Sequence, residues 1–226
     1  MKSTKKRATE VRSRLLETYG QPVWRNRLPP LDELVSTILS QNTNDINRDR
    51  AFNALRERFP TWEEVRDADP SDVIDAIRSA GLANQKGHRI QRALQQITEE
   101  HGVLNLGFLE DLPLEEAKEW LLRFKGVGPK TAAIVLLFSL GKPAFPVDTH
   151  IYCVTGRLGL RPENITAEQA HNHLAELFDP VMYYDIHLNL IRHGREICHA
   201  RSPQCERCSL SEICPFKQTR SREMHA

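Results

Sequence analysis

The sequence predicts an all-α protein, and three features lead to that prediction. Apolar residues recur at three- and four-residue spacing along most of the chain, as in Val11, Leu15 and Tyr19. Residues that cap or stop helices separate these apolar runs, among them Gly20 and the capping box from Thr61 to Glu64. No stretch alternates apolar and polar residues convincingly enough for a strand. We therefore expect a chain that is helical almost throughout.

Each predicted helix in the first half has its own start or stop signal. A helix over about residues 8–19 ends at Gly20, and prolines at 22, 29 and 30 mark a linker. The apolar run over 31–39 predicts a second helix, which breaks at the polar stretch 41–45. That stretch caps a third helix that reaches Phe59. A short helix follows the Thr61 capping box, and Asp69 and Pro70 open another that continues to Ile77 and stops before Gly81.

In the second half, apolar spacing predicts a helix over about 85–101 and a helical hairpin from Leu114 onward. Beyond Pro143 and Pro146 we expect helices near 148–158, 167–178 and 181–197. Thr166 and Gln169 form a second capping box.

Composition excludes some function classes but does not by itself indicate a protein that binds nucleic acid. The 226 residues carry a formal net charge of only +1, so any DNA site must be a local basic patch. The candidates are the N-terminal arm, the arginine-rich cysteine region and the tail 217–222. No apolar run approaches membrane-spanning length, and the basic start lacks the apolar core of a secretory signal. We therefore expect an intracellular, monomeric protein without membrane contact, whose thiols are reduced.

The stretch from Leu121 to Ala132 predicts two helices joined by a tight turn. Gly126 and Gly128 permit backbone angles that a side chain obstructs, and Pro129 suits the first turn of the next helix. Backbone N–H groups beside that helix N-terminus can approach a phosphate. A glycine stop between two core helices is the simpler interpretation of the same residues.

Lys130 lies in the first turn of this second helix. The positive partial charge there disfavours a protonated amine, so Lys130 can act as a nucleophile. Taken alone, a lysine in this place is more often a solvated surface residue. Asp148 has an equally simple interpretation as a helix N-cap, although a carboxylate also stabilises the positive character that glycosidic cleavage leaves on a sugar.

Four cysteines lie within 17 residues near the C-terminal end, at positions 198, 205, 208 and 214. In an intracellular chain they indicate a metal site rather than disulfides. Zinc sites usually use two close pairs, whereas this spacing contains one Cys-x2-Cys with wider arms, so an iron-sulfur cluster is favoured and zinc stays open. Cys153 lies outside the set, as a small buried hydrophobe.

Three ordered motifs together resemble the endonuclease III family of helix-hairpin-helix DNA glycosylases. They are the segment from Phe124 to Ala132, the segment from Pro146 to His150, and the Cys-x6-Cys-x2-Cys-x5-Cys array. The resemblance implies two helical domains, a central one over 31–142 and a discontinuous iron-sulfur domain from 1–30 and 143–226. It also implies a DNA-binding groove between them.

The resemblance further implies a bifunctional DNA glycosylase and AP lyase of base excision repair, acting on oxidised pyrimidines of the thymine glycol type in duplex DNA and on abasic sites. Lys130 would form a Schiff base and Asp148 would assist. A [4Fe-4S] cluster would be held by Cys198, Cys205, Cys208 and Cys214. The DNA-contacting residues that it implies are Gly126, Val127, Gly128, Lys130, Thr131, Gln41, Asn42, Leu82, His150 and Arg201. It places the protein in the cytoplasm, associated with the nucleoid.

The loop 40–45 departs from the family's common pattern, because Asn42 stands where better-known members have a glutamine. This leaves open which residue fills the space of a flipped base, and it allows a mismatched thymine or uracil as substrate. Helix-end capping is the simpler interpretation of Gln41 and Asn42. Two other classes of function also stay open, a non-catalytic iron-sulfur DNA-binding protein and a zinc-containing interaction module.

Overall fold

The computed structural model describes the backbone of residues 2–23 and 27–223 and the side chains of residues 4–23 and 27–219. These residues contain helices and no strand, which confirms the all-α prediction. The α-helices are α1 (Lys2–Tyr19), α2 (Pro30–Ser40), α3 (Asp45–Arg58), α4 (Trp62–Asp67), α5 (Pro70–Ala76), α6 (Ala83–His101), α7 (Leu114–Leu122), α8 (Pro129–Ile134), α9 (Thr149–Arg157), α10 (Ala167–Leu177), α11 (Tyr183–Glu196) and α12 (Pro215–Glu223). Short 3₁₀ turns connect several of them, and a π-helical turn, Val135–Ser139, extends α8. Among these residues, no helix combines the length and the apolar character needed to cross a bilayer.

Two local predictions differ from the structure. The first helix begins at Lys2 and not near residue 8, because residues 2–7 lack apolar periodicity but contain no helix breaker. At α4 only half of the capping box forms: Thr61 accepts a hydrogen bond from the Glu64 N–H at 3.2 Å, while the Glu64 carboxylate bonds the Thr61 hydroxyl. The capping box of Thr166 and Gln169 has both of its bonds, as predicted.

The chain divides into two compact units. We call Arg27–Lys142 the central unit, and Met1–Asn26 together with Pro143–Ala226 the cluster unit. The cluster unit is therefore discontinuous in sequence.

Helix α2 is the core of the central unit. Seven of its 11 residues are buried, and it packs against α3, α6 and α8. The last carbonyl groups of a helix have no partner within the helix and need other donors. The Thr37 carbonyl accepts from Ser40 Oγ at 2.8 Å, and the Ile38 carbonyl accepts from the Gln41 N–H at 3.3 Å. The Leu39 carbonyl accepts from the Lys86 ammonium at 2.8 Å, and the Ser40 carbonyl accepts from the Thr43 N–H at 3.3 Å.

In the cluster unit, α11 packs against both α1 and α9. Gly194 on α11 allows the close approach of α9, since a Cβ there would lie 2.8 Å from the Cβ of His150. On the other side of α11, Asp185 is 3% exposed and receives two hydrogen bonds from Arg12 of α1, at 3.1 and 2.6 Å. This bidentate ion pair fastens α1 to α11.

Replacing Arg12 should strongly destabilise the cluster unit. Arg12→Met leaves the buried Asp185 carboxylate without its charged partner, with only the Gln21 amide at 3.5 Å as a side-chain donor, so we expect the free energy of unfolding in urea to fall by about 3 kcal/mol. The double variant Arg12→Met/Asp185→Leu removes the buried charge as well, so its free energy of unfolding should fall by less than that of the single variant. Arg14→Met is the matched control on the same helix, because its partner Glu212 is 79% exposed. A double variant less stable than Arg12→Met would contradict this account.

Candidate functional site

The predicted helix-hairpin-helix is present, with α7 and α8 joined by the turn at residues 123–128. The Val127 N–H donates to the Phe124 carbonyl at 3.0 Å, which closes the turn. Gly128 is the N-cap of α8, and its carbonyl accepts from the Ala132 N–H at 3.0 Å. The first-turn N–H groups of α8 therefore lie directly after the glycine turn, where a helix dipole favours an anion.

The two glycines of the turn have different structural roles. Gly126 has φ 90°, and a Cβ there would lie 2.6 Å from Cδ of Arg89. Gly128 has φ −103°, and a Cβ there would meet nothing within 4 Å. Gly126 is thus required by the fold itself, whereas Gly128 keeps the space in front of the α8 N-terminus open.

Two expected DNA contacts on this hairpin are limited to main-chain groups. The side chains of Val127 and Thr131 are buried, at 6% and 4% exposure. Lys130, in contrast, is half-buried in the first turn of α8, and Lys125 in the turn is exposed. Lys130 is therefore the partly accessible side chain with an amine in the first turn of α8, where Pro129 is also half-buried.

Gln41 and Asn42 have distinct environments. Gln41 Nε2 donates to the Gly126 carbonyl at 2.8 Å, and its Oε1 accepts from Arg89 at 3.2 Å. Its side chain thus ties the α2–α3 loop to the hairpin turn. Asn42 is exposed and has φ 53°. Of the two, Asn42 is the residue whose side chain the loop presents to solvent.

Leu82, before α6, resembles Asn42 in conformation. It has φ 49° and ψ 31°, in the left-handed region, and its apolar side chain is 49% exposed. A leucine in this region is unusual, because its Cβ crowds the backbone. The strained backbone therefore holds an apolar side chain in contact with water.

Asp148 is the N-cap of α9, in the cluster unit. Its Oδ1 accepts from the Ile151 N–H at 2.8 Å, and its other oxygen has no hydrogen bond among the described residues. His150 packs against Gly194 and does not hydrogen bond to Asp148. One carboxylate oxygen thus orients the side chain while the second remains available to a ligand.

The four cysteines line one pocket of the cluster unit. The pocket has a volume of about 360 Å³ including solvent, and its walls also include Val154, Leu158 and Ile197. No three His, Cys, Asp or Glu side chains in the described part of the chain are grouped closely enough to hold a single ion. Four cysteines around one pocket are a set of thiolates that would hold an iron-sulfur cluster.

Polar groups surround these sulfurs. Burial raises the pKa of Cys208 to about 11 and raises that of Cys198, whose thiolate the nearby Arg157 favours. Arg157 donates to Cys198 Sγ at 3.3 Å and to the carbonyls of His199 and Ala200 at 2.8 and 2.7 Å. It therefore contacts both a candidate ligand and the backbone of the following loop.

His193 connects the cysteines to α1. Its Nδ1 lies 3.0 Å from the Tyr19 hydroxyl and its Nε2 lies 3.5 Å from Cys208 Sγ. Burial lowers the pKa of His193 to about 4, so the ring is neutral near pH 7. Sequence reasoning missed His193, Arg157 and Arg89. Only His193 carried a signal, since it lies five residues before Cys198.

The expected basic patches are partly engaged within the fold. Arg201 is exposed in the loop between Cys198 and Cys205. Arg7 of the N-terminal arm donates to the carbonyls of Leu158 and Gly159, both at 3.4 Å. In the tail, Lys217 pairs with Glu206 at 2.8 Å, and the side chains of residues 220–222 lie outside the described residues. Arg201 is thus the exposed basic residue of the cysteine loop.

Single cysteine substitutions should distinguish the four pocket cysteines from Cys153 by their effect on the iron content of the protein. Cys208→Ser removes a candidate ligand, so we expect purified protein to lose iron and the broad absorbance near 400 nm that cysteinate-iron bonding produces. Cys153→Ser should keep both. Iron and zinc analysis of anaerobically purified protein checks the result. Zinc without iron in the wild type, or iron loss only in Cys153→Ser, would refute the ligand set.

Two family models match the chain. The HhH-GPD superfamily base excision DNA repair protein model matches residues 35–180, which is more than half of the chain. The iron-sulfur binding domain of endonuclease III matches residues 198–214, the span of the four cysteines.

Similar proteins agree with these matches. Endonuclease III of Thermotoga maritima is 36% identical over 193 residues, covering 85% of this chain and 86% of that protein. A longer Arabidopsis thaliana protein is 40% identical over 168 residues, which is 74% of this chain and 57% of the longer protein. A solved non-covalent endonuclease III-DNA complex superposes with a TM-score of 0.80 at 25% identity, covering 96% of this chain and 98% of that chain. The chain belongs to the HhH-GPD superfamily of base excision DNA repair proteins and, within it, to the endonuclease III family of DNA glycosylases and AP lyases that carry an iron-sulfur cluster.

Proposed function

We propose that this protein is a bifunctional glycosylase and AP lyase that removes oxidised pyrimidines from duplex DNA. The observation that carries the proposal is the position of Lys130. It lies in the first turn of α8, directly after the Gly126 to Gly128 turn and inside the matched family region. Binding of DNA alone requires no amine at this position, whereas a Schiff-base mechanism does.

DNA binding in this proposal begins with the phosphate backbone. Main-chain N–H groups at the start of α8 contact a phosphate, which the open space at Gly128 admits. Arg201 adds an exposed positive charge from the cysteine loop. The target nucleotide then rotates out of the duplex, because its C1′ cannot be reached while the base is stacked. The partner is therefore double-stranded DNA with a damaged base or an abasic site, bound by a monomer inside the cell.

Base removal is a displacement at C1′. The neutral amine of Lys130 forms a bond to C1′ as the bond between C1′ and the base breaks, and the base leaves with the electron pair. Positive character develops on the sugar during this step. The Asp148 carboxylate, with one oxygen available, stabilises that character.

Strand cleavage uses the same lysine. Opening of the sugar ring gives a protonated imine between Lys130 and C1′, which acidifies the C2′ proton. Loss of that proton and departure of the 3′ phosphate break the C3′–O bond by β-elimination. Water then hydrolyses the imine and releases Lys130. An abasic site enters the sequence directly as its aldehyde, without the glycosylase step.

Thymine glycol and related oxidised pyrimidines are the proposed substrates, on the basis of family membership. The second candidate is a mismatched thymine or uracil, and one observation favours it. The loop presents Asn42 to solvent, and the glutamine beside it is held by the hairpin turn and Arg89. A shorter amide therefore faces the DNA where other members have a glutamine.

The cluster of this proposal is of the [4Fe-4S] type, held by Cys198, Cys205, Cys208 and Cys214. When bound it supplies iron-thiolate bonds that cross-link the C-terminal loop. Arg157 holds the same loop through the carbonyls of His199 and Ala200. The four cysteines, through the bound cluster, and Arg157 would thus hold the loop that carries Arg201 in place.

Borohydride trapping tests the mechanism and the substrate class together. The wild type should form a covalent complex with thymine glycol duplexes and with abasic duplexes, because borohydride reduces the imine. Lys130→Gln should form none, while Lys125→Gln, an exposed lysine of the same turn, should trap normally. Asp148→Asn keeps an N-cap and should release base about 100-fold more slowly.

The other outcomes are equally informative. Trapping on guanine mismatches in place of thymine glycol would favour the second candidate. Trapping by Lys130→Gln would assign the nucleophile to another amine. If cluster-loaded wild type binds every duplex but traps on none, the protein is a non-catalytic DNA-binding protein.

The two hairpin glycines should respond differently to alanine. Gly128→Ala adds a methyl group in open space, so we expect an unchanged melting temperature but DNA binding weakened by about 10-fold. Gly126→Ala strains a residue at φ 90° and clashes with Arg89, so the melting temperature should fall. Wild-type DNA affinity of Gly128→Ala would show that this space does not face a phosphate.

A further inference from the structure

Asn42 and Leu82 are the only non-glycine residues with positive φ in the described ranges 2–23 and 27–223. Both lie in loops of the central unit, and both side chains are exposed. Backbone of this kind persists only where the surrounding structure holds it, and such residues are concentrated at functional sites. One of the two exposed side chains is an amide and the other is apolar.

One buried cation contacts both loops. Lys86 is 1% exposed, and its ammonium donates hydrogen bonds of 2.8 Å to the carbonyls of Leu39 and Ala80. Leu39 lies three residues before Asn42, near the C-terminal end of α2. Ala80 lies two residues before Leu82, at the end of a 3₁₀ turn. A single side chain therefore links the backbones that lead into the two exposed residues.

The neighbours of Lys86 bring it to this position. Gly87 lacks a Cβ, which would lie 2.9 Å from Cγ1 of Ile74, so the start of α6 can approach α5 closely. One turn further along α6, Arg89 holds Gln41, the residue before Asn42. The beginning of α6 thus fixes the Asn42 loop at two points, and it fixes the Leu82 turn through Lys86.

Lys86 is not needed for the chemical steps, and its burial is unfavourable. Desolvation, together with the nearby charge of Arg89, lowers the pKa of Lys86 to about 8. The carbonyl groups at the ends of two helical segments offset part of this cost, because they carry partial negative charge. An apolar side chain of similar length could fill the same volume, but it could not join the two carbonyls.

We propose that Lys86 is a positioning residue that holds Asn42 and Leu82 in the geometry with which they fill the space left by a flipped nucleotide. This inference rests on the proposed function, since only a base-flipping enzyme needs that space filled. Lys86 acts through the two loops and does not touch DNA.

The test compares double-stranded and single-stranded DNA that carry the same abasic site. A single strand has no opposite base and no gap, so its cleavage needs Lys130 but not the two loops. Lys86→Met should lower kcat/KM on the duplex by about 10-fold and change it on the single strand by less than about twofold. Lys118→Met, a lysine on α7, is the control and should match the wild type on both substrates.

A double-variant comparison tests whether Lys86 acts through the loops. In an Asn42→Ala/Leu82→Ala background, adding Lys86→Met should reduce duplex cleavage by less than about a further twofold. A loss as large as in the wild-type background would overturn the proposal. So would equal losses on duplex and single strand, or no loss on the duplex.

Two further results keep the test decisive. If Lys86→Met does not fold, Lys86→Gln, which retains two N–H donors, should fold and show the same selective duplex loss to a smaller extent, about threefold. If Lys86→Gln kept the same fraction of wild-type activity on the duplex as on the single strand, the proposal would be refuted. Failure of the wild type to trap on any duplex would instead refute the proposed function.

Discussion

The central unit depends on the hydrogen bonds that satisfy the carbonyl groups at the C-terminal end of its core helix. Helix α2 packs against α3, α6 and α8, and its last four carbonyl groups have no partners within the helix. Three of the donors come from residues adjacent in sequence, and the fourth is Lys86. The α2–α3 loop receives its conformation from these bonds. Gln41 then joins the same loop to the hairpin turn, so core packing and the candidate site share one set of hydrogen bonds.

An analogous arrangement organises the cluster unit around α11. One side of α11 receives Arg12 through a buried ion pair, and another receives α9 through the missing side chain of Gly194. Near its C-terminal end, His193 contacts both Tyr19 and Cys208. The helix that carries the N-capping Asp148 and the helix that leads into the cysteines are therefore packed directly on each other. Small changes in α11 would move both.

Local signals in the sequence predicted the hairpin, most of the capping residues and the helices up to α11, but not α12. The Thr166 capping box, the glycine turn and the N-cap at Asp148 depend on residues within a few positions of one another. The features that were missed depend on distant partners. Gln41 bonds a carbonyl 85 residues away, Lys86 one that is 47 residues away, and Arg157 one that is 42 residues away. Their acceptors are main-chain carbonyl groups, which every residue possesses, so no residue type marks them. The start of α1 was missed for a different reason, because charged residues extend a helix without adding apolar periodicity.

The discontinuity of the cluster unit has a consequence for biosynthesis. Arg12 and Asp185 are 173 residues apart, so the contact between α1 and α11 cannot form until most of the chain has been translated. The central unit is continuous and can fold earlier, while α1 waits with its apolar face, including Val11 and Leu15, unburied. Cys214, which lines the cysteine pocket, is synthesised later still than Asp185. The pocket that the four cysteines line is therefore completed only after the whole hairpin of the central unit has been synthesised.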